Sequence, residues 1–212
     1  AGSTAWGDYD GDGDADILVV GLTGPANNCV SIARVYRNDN GRFTDINAGL
    51  SGIYLGQAAW GDYDGDGDLD IGLSGLTAQG ENLSHIYRND NGAFTRDFDQ
   101  NLVLLRYSAL AWGDPDADGD LDLVISGMSI GGNPRTILYR NARINAARLG
   151  SPLGGRSVLE EDVPNTQRLI NLNRGNLEWG DIDNDGDIDL AVSGFGTGGP
   201  RQAQIYLNQP TG

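Results

Sequence analysis

The chain has 212 residues, a formal net charge of −16 and a single cysteine. It is long enough to bury a substantial core, cannot form an internal disulfide, and has no apolar run near the roughly 18 residues of a helical membrane span. All 14 basic residues are arginine. They form no patch that outweighs the acids, so nucleic acid is not an expected partner.

In chain order the first unit opens with a short strand at Thr4–Gly7, followed by the acidic stretch Asp8–Asp16. Ile17–Val20 is apolar on both faces, the pattern of a strand buried in mid-sheet. Gly21–Val30 is a turn region, and Ser31–Arg37 alternates as a third strand. Asn40-Gly41 is a hairpin signal, and Phe43-Thr44 opens a fourth strand. The second unit repeats this grammar with Trp60, Ile71–Leu73, Ile86–Asn89, Asn91-Gly92 and Phe94-Thr95. In the third, Leu121–Ser126 and Ile137–Asn141 match. An insertion at about 142–156 then precedes a displaced fourth strand at Ser157–Glu161. The last has Trp179, Ile188–Ser193 and Ile205–Asn208, with no outer strand after it. Boundaries fall at about 1–54, 55–106, 107–173 and 174–212, within one domain. Four-stranded antiparallel units repeated about every 50 residues, with no sustained helical periodicity, describe an all-β chain and a β-propeller. The Trp before each acidic stretch (Trp6, Trp60, Trp112, Trp179) is expected as a core residue wedged between blades.

The acidic stretches begin at 8, 62, 114 and 181 and hold 20 of the 30 acids. Five aspartates in nine residues repel one another, so each loop calls for a positive charge at its centre. Carboxylates at loop positions 1, 3, 5 and 9 are the hard oxygen donors that Ca²⁺ takes. They are Asp8, Asp10, Asp12 and Asp16; Asp62, Asp64, Asp66 and Asp70; Asp114, Asp116, Asp118 and Asp122; and Asp181, Asp183, Asp185 and Asp189. Position 6 is always Gly, which accepts the positive φ that wrapping an ion demands. Position 7 (Asp14, Asp68, Asp120, Asp187) is expected to offer its backbone carbonyl. The loop is not an EF-hand, whose position-12 Glu is replaced by Val19, Leu73, Ile125 and Val192. The expectation is about four Ca²⁺ ions, one per repeat, in a structural role.

Trp-Gly-Asp-Tyr-Asp-Gly-Asp-Gly-Asp-x-Asp, an apolar strand, and Tyr-Arg-Asn-Asp-x-Gly-x-Phe together resemble the calcium-binding FG-GAP/VCBS repeat family of integrin α-subunit heads and bacterial surface proteins. The resemblance implies a propeller of four-stranded blades, the ligand set just given, and an extracellular or cell-surface setting. It implies ligand recognition on the face opposite the calcium loops, by the turns at 21–30, 75–84, 127–135 and 194–202. The family usually builds seven or eight blades and this chain encodes four. A closed four-bladed ring, half of a ring completed by a second copy, and part of a longer propeller all stay open. The first residues, Ala-Gly-Ser-Thr, carry neither Met nor a leader, as expected of a mature or excised fragment.

No catalytic set is expected. His85 is the only histidine and Cys29 has no His partner to activate it. Glu178, an unpaired acid standing where other units carry Ala5, Ala59 and Ala111, is expected to face a central channel. The expected function is a non-enzymatic binding module for adhesion to glycan or protein. The alternatives are a structural assembly unit of a larger surface protein and the accessory propeller of a polysaccharide-degrading enzyme.

Overall fold

The computed structural model describes residues 2–144 and 156–208, so most of the insertion, at 145–155, lies outside the described residues. The fold is all-β. The first sheet contains β1 (Ser3–Gly7), β2 (Asp16–Thr23), β3 (Val30–Asp39) and β4 (Arg42–Asp45). The second contains β5 (Tyr54–Gly61), β6 (Asp70–Leu76), β7 (Asn82–Asp90) and β8 (Ala93–Asp97). The third contains β9 (Leu105–Gly113), β10 (Asp122–Ser129), β11 (Pro134–Ile144) and β12 (Arg156–Glu161). In the fourth, β13 (Asn173–Gly180), β14 (Asp189–Phe195) and β15 (Arg201–Tyr206) are the strands among the described residues. Each sheet is an antiparallel meander in chain order, and β12 supplies the displaced strand expected at 157–161.

One element was not expected, a single helical turn α1 (Val163–Thr166). Its signal is local: Asp162 caps it by accepting from the Asn165 N–H, and Pro164 stands in the first turn, where no amide donor is needed. A four-residue helix is too short to leave a periodic trace in the sequence.

The sheets pack face to face through their inner strands, β1 on β5, β5 on β9 and β9 on β13. Each of these three junctions has its own apolar core. Leu18, Val20, Val35, Ile53, Ile71 and Leu73 fill the first; Leu105, Leu110, Leu123, Ile125 and Ile137 the second; Leu172, Leu177, Leu190 and Val192 the third. This explains why the second strands are apolar on both faces. Gln57 on β5 reaches Asn176 on β13 at 3.4 Å, past the intervening β9. Sheets stacked in a straight line at roughly 10 Å intervals would hold these residues beyond side-chain reach. The inner strands therefore lie on an arc.

Three devices recur at every junction. A tryptophan lies over the glycine that ends the previous inner strand: Trp60 over Gly7, Trp112 over Gly61 and Trp179 over Gly113. A Cβ built on those glycines would meet the indole at 2.6–2.7 Å, so only Gly fits. An asparagine side chain donates to a carbonyl in the preceding acidic loop, Asn89 to Tyr9 and Asn141 to Tyr63 at 3.0 and 2.6 Å, and Asn208 to Pro115. A tyrosine hydroxyl accepts a backbone N–H from the incoming linker: Ser51 to Tyr87, Val103 to Tyr139 and Ile170 to Tyr206, at 2.9, 2.9 and 2.7 Å.

Among the described residues the first and fourth sheets share no apolar core. Trp6 is 63 % exposed, and nothing lies within 4 Å of a Cβ built on Gly180. The expectation that all four tryptophans wedge between sheets is not met at Trp6, which lies against no glycine of another sheet among the described residues. At the other end Ile205 is 53 % exposed, whereas its counterparts Val35, Ile86 and Leu138 are buried.

Candidate metal centres and the opposite face

The acidic loops join the first and second strands of each sheet, and all four fold alike. The position-1 carboxylate accepts the N–H groups of positions 5 and 6: Asp12 and Gly13 donate to Asp8, Asp66 and Gly67 to Asp62, Asp118 and Gly119 to Asp114, Asp185 and Gly186 to Asp181, at 3.0–3.2 Å. Position 5 in turn accepts from position 7, as in Asp14 N–H to Asp12 at 2.8 Å. Position 6 has φ between +90° and +98° in every loop. Position 4 is also left-handed, at Gly11, Gly65, Ala117 and Asn184; Ala117 holds that conformation at a cost of about 1 kcal/mol.

This wrapping brings carboxylate oxygens within 4.8 Å of one another in the groups Asp8, Asp10 and Asp16; Asp62, Asp64 and Asp66; Asp114, Asp116 and Asp118; and Asp181, Asp183 and Asp189. Every group is drawn from loop positions 1, 3, 5 and 9. Asp14, Asp68, Asp120 and Asp187 belong to none of them. The side chains of Asp14 and Asp68 instead accept the N–H of Asn40 and Asn91 in the β3–β4 and β7–β8 hairpins at 2.7 and 2.8 Å. All-oxygen clusters of this density fit a hard divalent cation.

The electrostatics point the same way. Burial, reinforced by neighbouring carboxylates, pushes Asp70 up to about 8 and Asp64 up to about 6. Burial pushes Asp122 up to about 6 against the hydrogen bonds it accepts. Asp10, Asp16, Asp116 and Asp183 are raised from the same leading cause. A cation among these carboxylates would favour their charged forms, most of all at Asp70, the one raised above neutral pH.

The opposite end carries the turns between second and third strands. Near the start of three inner strands, β5, β9 and β13, a residue sits at φ +50° to +52°: Leu55, Tyr107 and Arg174. The pairing register slips at this point in β5 and β13. Non-glycine residues of this size rarely accept that conformation, yet one frame imposes it on three unrelated side chains. Nothing in the local sequence announced these positions; at Leu55 and Arg174 a close backbone approach from the second strand lies beside them. A Cβ at the following Gly56 or Gly175 would meet the carbonyl of Ser74 or Ser193 at under 2 Å. The Arg174 guanidinium lies 4.2 Å above the Tyr107 ring. Beside it a hollow of about 270 Å³ opens between the third and fourth turns, lined by Met128, Pro134, Asn173, Arg174 and Phe195.

Residues 8–73 match the family model of the FG-GAP-like repeat. The match runs from the first acidic loop through the second and ends within β6. The acidic stretches at 114–122 and 181–189 repeat the sequence pattern of the two loops inside the match. No curated protein matches the chain. No helix among the described residues is long and apolar enough to cross a membrane.

Three further residues are singled out by the sequence. Cys29 is exposed in the first turn, its thiol donating to the Pro25 carbonyl at 3.3 Å. His85 lies between strands with its Nδ1 buried, and burial lowers its imidazole to about 4, aided by Arg96. Glu178 lines a hollow of about 450 Å³ with Asn176, Ala191, Ser193 and Ile205, on the uncovered face of the fourth sheet.

Proposed function

We propose that this chain is a non-catalytic, calcium-stabilised propeller module of an extracellular or cell-surface protein, and that it recognises a glycan or protein ligand on the face opposite its acidic loops. The observation that carries the reading is the division of labour between the two ends. At one end four loops repeat the same wrapping around the position-1 carboxylate. At the other, one strained backbone frame displays Leu55, Tyr107 and Arg174, three different side chains. Constant chemistry at one end suits a structural ion; variable chemistry on a fixed frame suits specificity. The arc of inner strands supports the propeller, and FG-GAP-like repeats are typical of extracellular proteins. Asp at positions 1, 3, 5 and 9 of each loop would hold Ca²⁺ together with the position-7 carbonyl, and the ion would supply the charge that lets these carboxylates ionise. A glycan array run in calcium tests recognition, with Tyr107→Ala and Arg174→Ala as controls. Binding that survives both substitutions would remove this face from consideration.

A second reading is an assembly unit. The uncovered faces at Trp6 and at Gly180 favour it, including two copies that complete one ring. Light scattering on the 212-residue chain distinguishes a 22.5 kDa monomer from such a pair.

A further inference from the structure

The third acidic loop differs from the others at the carboxylate that anchors it. In loops one, two and four the position-9 aspartate accepts two backbone N–H groups. Asp16 takes Asn38 and Tyr9 at 2.7 and 3.0 Å, Asp70 takes Asn89 and Tyr63 at 2.8 and 3.0 Å, and Asp189 takes Asn208 and Ile182, both at 2.8 Å. Asp122 keeps the first of these bonds, from Asn141 at 2.7 Å. The second donor would be residue 115, which is proline and has no N–H. The Arg140 guanidinium takes its place: Nη1 donates to Asp122 Oδ2 and lies 3.0 Å from Asp116 Oδ2.

Two further differences hold Arg140 there. Its counterparts Arg37 and Arg88 are drawn away by an aspartate two residues on, Asp39 and Asp90, through paired bonds of 2.9–3.2 Å. After Arg140 that position is Ala142. Asp162, from the segment following β12, fixes the other edge of the guanidinium at 3.2 Å from Nε. Although partly buried, the Asp162 carboxyl is held below its ordinary range by its bonds from Asn165 and Arg140.

We infer that Arg140 is a resident cation of the third loop, which makes this the weakest of the four divalent-ion sites and the one that stays folded without an ion. The inference rests on the calcium reading of the loops. A fixed positive charge on the position-3 and position-9 carboxylates repels an incoming dication and occupies oxygens it would use, while neutralising part of the repulsion that otherwise unfolds an empty loop. Affinity at this site is at least about tenfold below that of the other three.

The test is calcium titration of the whole chain by calorimetry, with amide hydrogen exchange of the loops in chelator. The expected result is three strong sites and one weak site. In chelator, the Gly119 amide is protected above those of Gly13, Gly67 and Gly186. Arg140→Leu, the residue found at position 207, should raise the weak site into the strong class and abolish the protection of Gly119. Pro115→Tyr combined with Ala142→Asp should do the same with Arg140 retained, because Asp122 regains its backbone donor and the arginine regains a neighbouring carboxylate. Four equal sites in the unmodified chain, or a weak site unmoved by both variants, would overturn the inference and leave the calcium reading intact. Absence of any calcium binding overturns both.

Discussion

The tryptophan-over-glycine contact allows a test in which one substitution, repeated at equivalent positions, should give opposite outcomes. Gly7, Gly61 and Gly113 have ordinary backbone conformations, so alanine is excluded there by space alone. Its Cβ would lie 2.7, 2.6 and 2.7 Å from Cδ1 of Trp60, Trp112 and Trp179, about 1 Å inside normal contact. The indole cannot retreat, because its other face packs into the junction core. Overpacking of this kind costs about 1–3 kcal/mol, and for a domain of this size each kcal/mol lowers Tm by about 2–4 °C. Gly180 has the same place in the repeat and nothing within 4 Å. Gly180→Ala should therefore be neutral, or stabilising by about 0.4–1 kcal/mol through the unfolded chain. Denaturant midpoints of the four variants in saturating calcium provide the measurement. Four equal costs would refute the reasoning, since Gly180 would then be covered by a tryptophan as the others are.

Without calcium, the raised Asp70 carboxyl makes the folded chain bind more protons than the unfolded chain up to about pH 8. Metal-free stability should therefore fall as pH rises from 6.5 to 8.5, and calcium should abolish the slope. Thermal melts across that window decide it, and a metal-free protein that gains stability with pH contradicts the assignment. His85, lowered to about 4 by burial and by Arg96, acts in the opposite sense. The unfolded imidazole takes up a proton below about pH 6.5 that the folded one refuses, so stability in calcium should drop by on the order of 1–3 kcal/mol between pH 6.5 and 4. His85→Gln, the residue of the fourth unit, should flatten that drop, and an unchanged profile would place the titration elsewhere. Asn89→Ala should cost about 2–4 kcal/mol, because it strips partners from Tyr9, Leu69 and Gly92 in a buried site. Asn38→Ala removes only Ala15 and Gly41 bonds near solvent and should cost about 1 kcal/mol or less; chemical denaturation of the pair gives the ratio.

Repetition made most of the fold legible before any coordinates. Four copies of one acidic loop fixed the phase of each unit, and the hairpin signals at Asn40-Gly41 and Asn91-Gly92 placed the outer strands. The clustering of carboxylates from loop positions 1, 3, 5 and 9 was legible for the same reason. What could not be read is what depends on neighbours in space. Trp6 has the same flanking residues as Trp60 and differs only in having no glycine to cover. Leu55, Tyr107 and Arg174 look like ordinary strand residues, and beside Leu55 and Arg174 the second strand's backbone presses on the following glycine. Arg140 belongs to a repeated Tyr-Arg-Asn motif, and its displacement into the loop needed Pro115, Ala142 and Asp162 to be seen together.

The adjacency of Trp and Gly in the chain has a consequence of its own. Trp60 fills the socket at Gly7 while the very next residue, Gly61, is the socket for Trp112. Each dipeptide thus belongs to two junctions, facing backward with one residue and forward with the other, and the stack has a direction. Two ends meeting like to like would set Trp6 against Trp6 or Gly180 against Gly180 and reuse neither contact. Only head-to-tail joining repeats the geometry, and such joining gives a ring where the rotation per unit closes and an open filament where it does not. Whole units can be gained or lost at any junction without redesigning a surface, provided each brings one such dipeptide.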